Sequence, residues 1–304
     1  MNSIEEKRVF GDQEGAITAY VASANGVVRV RVAGDTVGEF GLCERCAARG
    51  VAATRRRVAV ATDEDVRVVA LETELDAGAT GDVPVAGGGE TFVETGFGPA
   101  VAVGFDGEEL LAAGPDGRIA RLPAEADEWT ILESGPDTAV RAIDGDLIGT
   151  DRGVYRVYDG GLDHVGLTDV RDLSAAGVPL AATGNGLYKL GNGWMNALEG
   201  AFETVAADPR SRRGRLERAH AVSGDELYEY ETDGEWATRE GIPDGDDRIV
   251  GFGYGDTVYA VTERGMFLSA IDDGWRTRSL GVMDVTGVAI PATAAPAVDG
   301  RELA

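Results

Sequence analysis

Cys43 and Cys46 stand in the phrase LCERC, a C-x-x-C spacing that suits a zinc half-site or a thiol redox pair. A closed zinc site needs four ligands, and the chain has only two histidines, His164 and His220, to add. A thioredoxin-like centre opens a helix, whereas this motif follows an apolar segment of strand type. The cysteines therefore read first as small residues at a junction between strands. Thiol redox, or a metal shared with a partner, are the alternatives. No G-x-S-x-G elbow accompanies the histidines, so a Ser-His-Asp constellation has no support and they read as polar strand residues.

Carboxylates and guanidiniums offer the other chemistry. The phrases AVGFDG, RAIDG and TVAAD carry Asp106, Asp144 and Asp208 at or near their ends. If these phrases line one channel, the three carboxylates could hold a hard cation such as calcium. The competing reading is solvated turn residues in a chain rich in aspartate. Arginine is clustered: PRSRRGRLER holds Arg210, Arg212, Arg213, Arg215 and Arg218, and VAATRRRVAV holds Arg55, Arg56 and Arg57. Guanidinium forks suit phosphate or carboxylate, while the plainer reading is neutralisation of surrounding acid. Gly87-Gly88-Gly89 lies in an insertion between Glu72 and Glu90. It lacks the Lys-Ser/Thr of a phosphate loop and reads as a connecting loop.

The background to these clusters is strongly acidic. The 304 residues carry a formal net charge of −25, and Lys7 and Lys189 are the only lysines. Such a surface repels itself at low salt and is screened at high salt, where the Debye length falls from ~10 Å at 0.1 M to ~3 Å at 1 M. The balance fits the cytoplasm of a halophilic archaeon and argues against broad binding to nucleic acid. No run approaches the ~20 apolar residues of a membrane span. The N-terminal MNSIEEKRVFGDQEG lacks the apolar core of a secretory signal, so a cytoplasmic location is expected.

A repeat positions the candidates. An apolar strand ends in Ser or Thr, a turn follows, and a second apolar strand begins. The copies are VASANGVVRV, VATDEDVRVV, IGTDRGVYRV, AATGNGLYKL, AVSGDELYEY and AVTERGMFLS, with AAGPDGRIARL as a weaker one. Their turn anchors are Gly26, Asp65, Gly117, Gly153, Gly186, Glu226 and Gly265, and a hydroxyl precedes six of them by three residues. The spacings 39, 52, 36, 33, 40 and 39 give a period near 40. Four short strands per period, here a to d, is the mark of a β-propeller blade. Seven anchors predict an all-β, seven-bladed propeller of four-stranded antiparallel blades over about residues 16–291, a single domain with polar tails 1–15 and 292–304. Blade 1 lacks an inner strand of its own, and Met283–Pro291 is spare, so that segment is expected to close the ring. Trp129, Trp194, Trp236 and Trp275 open d strands and read as wedges between blades. Tyr155, Tyr188, Tyr228 and Phe267 share one place in the repeat, which favours packing over an aromatic cage.

The phrases IEEKRVFG, YVASANGVVRVRV, EFGLCERC and VAVATDEDVRV resemble an uncharacterised family of haloarchaeal β-propeller proteins, over nearly the whole chain. The T-x-x-G-[VL]-Y copies are similar to two-component-regulator-type propeller repeats. The DDGW and GNGW turns resemble Asp-box propellers, but the full Asp-box pattern is absent and no sialidase-like chemistry carries over. The resemblance implies the fold and the saline habitat and transfers no catalytic residue.

By this phasing both Arg clusters lie in a-to-b connections, of blades 2 and 6, and so on one face of the disc. The expected function is a non-enzymatic cytoplasmic interaction scaffold, monomeric by itself, whose Arg-bearing face holds a protein or other anionic partner. The alternative is a metal-assisted hydrolase or lactonase with acidic ligands at the central channel. No cofactor is expected under the first reading, and calcium or zinc under the second.

Overall fold

The computed structural model describes residues 16–71, 91–133, 135, 138–158, 160–230, 234–239, 247–272 and 274–292. The expected insertion and most of both tails lie outside the described residues. Blade 1 contains β1 (Ile17–Ser23), β2 (Gly26–Ala33) and β3 (Thr36–Glu44), and blade 2 contains β4 (Ala48–Ala53), β5 (Arg57–Thr62), β6 (Val66–Ala70) and β7 (Val93–Glu94). Blade 3 is β8 (Ala102–Asp106), β9 (Glu109–Ala113), β10 (Ile119–Leu122) and β11 (Thr130–Ile131). Blade 4 is β12 (Val140–Asp144), β13 (Leu147–Thr150), β14 (Gly153–Tyr158) and β15 (Gly161–Gly166). Blade 5 is β16 (Val170–Ser174), β17 (Leu180–Thr183), β18 (Gly186–Leu190) and β19 (Trp194–Glu199). Blade 6 is β20 (Thr204–Ala207), β21 (Ala219–Ser223), β22 (Glu226–Tyr230) and β23 (Trp236–Arg239). Blade 7 is β24 (Ile249–Tyr254), β25 (Val258–Thr262), β26 (Met266–Ile271) and β27 (Gly274–Ser279), and β28 (Val285–Ala289) follows it. Every sheet is four-stranded and antiparallel, and β28 completes blade 1 in the order β28-β1-β2-β3. The protein is a seven-bladed β-propeller closed by its C-terminal strand.

The repeated hydroxyl has a definite task. It donates to the carbonyl three residues on and closes the b–c turn: Ser23 Oγ to Gly26 O at 2.9 Å, Thr62 Oγ1 to Asp65 O at 2.7 Å, and Thr150 and Thr183 to Gly153 and Gly186 O at 2.8 Å. The same oxygen accepts the N–H two residues on, as from Glu64 and Arg152 at 3.1 Å. These four hydroxyl residues are buried, where a carbonyl left without a donor would be costly. Gly26 sits at φ +136°, and a Cβ there would meet Glu44 O at 2.0 Å, so this anchor must be glycine. The weak copy does without the hydroxyl: Gly114 N donates to Arg118 O at 2.8 Å, and Gly117 N to Gly114 O at 3.1 Å.

One sheet cannot bury both its faces, and stacking blades solves this. Among the described residues seven apolar clusters form, one at each interface between neighbouring blades. At the closing interface Val28, Val30 and Val32 of β2 meet Tyr259, Val261 and Phe267 of blade 7. Their alternation with Arg29 and Arg31 is the period-2 pattern of a strand with one face in a core. Each such fully buried side chain stabilises by about 1.5–3 kcal/mol relative to exposure. Tryptophans bridge blades as well: Trp129 Nε1 donates to Thr95 O at 3.1 Å and Trp194 Nε1 to Val165 O at 3.0 Å, each in the preceding blade's segment. Tyr155, Tyr188, Tyr228 and Phe267 stay in four separate blades, on β14, β18, β22 and β26.

Candidate functional site

The first strands of the blades, β28, β4, β8, β12, β16, β20 and β24, surround a central cavity of about 520 Å³. They run the same way along it, so all loops from strand a to strand b emerge on one face, and the b–c turns on the other. Arg55–Arg57 lie between β4 and β5, with Arg57 opening β5, and Arg210–Arg218 lie between β20 and β21; both connections are of the a–b type.

The two clusters divide into bound and unbound guanidiniums. Arg57 donates through Nη2 to the Glu108 carbonyl, stands 3.7 Å from the Glu108 carboxylate and covers the Phe105 ring at 5.4 Å. It ties blade 2 to blade 3. Arg210 grips Asp208 with both ends of its fork, Nε and Nη2 each at 3.0 Å, and donates to Gly255 O at 2.6 Å. Arg218 reaches the same carboxylate at 2.6 Å and the same carbonyl at 3.1 Å. Burial alone would push the Asp208 carboxyl up, but these arginines outweigh it and hold it below the usual carboxylate range. Arg57 and Arg210 are thus occupied within the fold. Arg55, Arg56, Arg212, Arg213 and Arg215 are exposed, and among the described residues none has an ion-pair partner.

The structure does not gather Asp106, Asp144 and Asp208. Asp208 is consumed by its arginines, and Asp106 ends β8 exposed, outside the cavity lining. Asp144 does line the cavity, where its Oδ2 accepts Ala175 N of the next blade at 2.8 Å. Asp172, which the sequence reading passed over, lines it too and accepts Val205 N at 2.9 Å and Leu173 N at 2.9 Å. Burial raises both carboxyls, that of Asp172 to about 7, and the Asp144 charge adds to the rise. Among the described residues no group of three or more His, Cys, Asp or Glu side chains is placed to hold a metal ion.

Cys43 Sγ donates to Val27 O at 3.3 Å. Burial pushes the Cys46 thiol up to about 11, away from the thiolate used in redox exchange. Both cysteines border the core between blades 1 and 2, the junction expected of them. His164 is exposed on β15, with Nε2 3.2 Å from Arg152 O. His220 on β21 is fully buried, not an ordinary polar strand residue. Its Nδ1 lies 3.1 Å from Tyr254 Oη, and that hydroxyl donates to Ala206 O at 2.8 Å. The Tyr254 proton is therefore committed, and Nδ1 must be the donor between them. Burial lowers the His220 pKa, which fits a neutral ring serving as a polar link between blades 6 and 7.

The cavity also carries two arginines that clustering in the sequence did not reveal, Arg49 and Arg141. Both sit where strand a bulges: the registers of β4 and β12 shift between Ala48 and Gly50 and between Val140 and Ala142.

Comparison with known proteins follows the architecture. The WD40 propeller domain of Doa1 superposes with a TM-score of 0.57 at 14% identity, over 80% of this chain and 86% of that one. YCF48 bound to a D1 peptide gives 0.52 at 15% identity, over 78% and 82%. Apo AztD from Citrobacter koseri gives 0.53 at 12% identity, over 90% and 84%. Identities this low speak for the fold alone. No curated protein matches. The family described as Beta-prop_HVO_0234-like, beta propeller, matches residues 3–291. The chain belongs to this β-propeller family.

Proposed function

We propose that the protein is a non-enzymatic interaction scaffold of a salt-rich cytoplasm, and that its a–b face binds an acidic segment of a protein partner. The observation that carries this is the set of exposed guanidiniums at Arg55, Arg56, Arg212, Arg213 and Arg215, without carboxylate partners among the described residues. In a chain of net charge −25 every such cation could find an acid nearby, so leaving them open is unexpected of mere charge neutralisation. The propeller fold supports the reading in general terms, since YCF48, of like fold, is seen with a peptide bound. Guanidiniums also hold carboxylates in two-pronged contacts that survive screening better than a point charge does.

The test replaces Arg55, Arg56, Arg212, Arg213 and Arg215 with Gln and leaves Arg57 and Arg210, which hold the blades together. Tagged wild type and variant are used for capture in molar KCl, and bound proteins are identified by mass spectrometry. An acidic protein held by the wild type and lost by a variant of unchanged Tm is the expected result. Equal capture by both overturns the assignment to this face. Recovery of nucleic acid in place of protein would overturn the partner class.

A further inference from the structure

The geometry points to a second binding site, on the other face. We infer that the b–c mouth of the central channel takes the carboxylate of a small organic acid, held by Arg49 and Arg141.

A β-bulge adds a residue to one strand and re-aims its side chain. In β4 and β12 the added residue is arginine, and both arginines line the channel cavity. Arg171 occupies the same bulge position in β16, where it is drawn to Glu203 at 3.2 Å. Arg141 is held from behind: its Nε donates to Asp151 Oδ1 at 2.8 Å. That bond uses Nε–H; among the described residues the Nη groups make no hydrogen bond and remain as donors, with the Asp169 charge also near. Arg49 is exposed and, among the described residues, has no ion-pair partner at all. One of them is thus open and the other held by a single acid, and the two share one concavity.

Behind the mouth the wall is made small by Gly50, Ala102, Ala142, Gly251 and Gly287, and the cavity of about 520 Å³ lies within the range that suits small ligands. Two carboxyls share this cavity: Asp172, beside the bulge of β16, and Asp144, which ends β12 toward the opposite face. Their bonded oxygens are turned onto backbone N–H groups of the neighbouring blades, and burial favours their uncharged forms. Repulsion of the ligand there is correspondingly weak. A carboxylate matches a planar fork with two oxygens, whereas a phosphate bears more charge and suffers more from the field of a −25 chain.

Glutarate is a suitable probe, titrated by calorimetry in the lowest KCl concentration that keeps the protein folded. The expected result is saturable one-to-one binding that Arg49→Gln and Arg141→Gln each weaken about tenfold or more, as loss of a charge-assisted bond should. Among the described residues Arg49 has no side-chain bond to lose, so its variant should keep the wild-type Tm and serves as the decisive case. Arg212→Gln should bind glutarate as the wild type does, which separates this site from the opposite face. Absence of saturation, unaltered affinity in Arg49→Gln, or equal affinity for inorganic phosphate would each overturn the inference. A peptide with a free C-terminus binding tenfold tighter than glutarate would overturn its small-molecule part.

Discussion

At the residue scale the channel carboxyls make a prediction about acid. Asp172 holds its proton more tightly folded than unfolded, with a carboxyl raised from near 4 to about 7. Between those limits the folded state binds more protons, so this group adds stability as pH falls from about 7 toward 4 and withdraws it as pH rises. Asp208, shifted the other way, adds stability that is lost only below the ordinary carboxylate range. The partial exposure of Asp172 tempers the first effect, which is expected to be on the order of 1 kcal/mol, or about 2–4 °C in Tm. Asp172→Asn can still accept from Val205 N through its amide oxygen, and should flatten that slope in melts at constant KCl. A slope identical to wild type would mean that the proton sits elsewhere.

Elements decided what was legible in the sequence. The b–c turn was readable because one hydroxyl, one turn and one anchor recur, and four of the copies make the same short bonds. The spare segment at the end was readable because blade 1 had three strands where its neighbours had four. Deleting residues from Met283 onward removes β28 and bares the inner edge of β1, where Tyr20 pairs with Ala289 and Val21 with Val288. An open edge of that kind recruits other chains. The truncated protein is expected to scatter light and elute as aggregate, and a cooperative monomer would refute the role of the seam. The channel arginines were not legible, because a bulge leaves no mark in the order of residues: Arg49 and Arg141 stand alone among apolar neighbours. Arg210 looked free because Asp208, only two residues away, was reckoned with the channel. The D-P-R spacing within one turn was the available signal.

The whole molecule is governed by its charge. Arg67 is shared among three acids, Glu44 at 2.7 Å, Glu64 at 2.7 Å and Glu94 at 3.2 Å. With 53 acidic residues against 28 basic ones, the acids outnumber the cations by 25. Their mutual repulsion reaches further as salt is withdrawn. Dilution from about 2 M to 0.1 M KCl is expected to lower Tm, and an unchanged Tm would mean that the acidic surface is not an adaptation to brine.

The strand that closes the ring also sets a schedule. Blades 2 to 7 are each assembled from consecutive strands, so each can form soon after it leaves the ribosome. Blade 1 emerges first and is finished last, because its inner strand begins at Val285. At a synthesis rate of roughly 10 residues per second, β1 waits about half a minute with its inner edge open. During that interval each new blade can dock only on the one made before it. The newborn protein is an open arc that becomes a disc in a single late event.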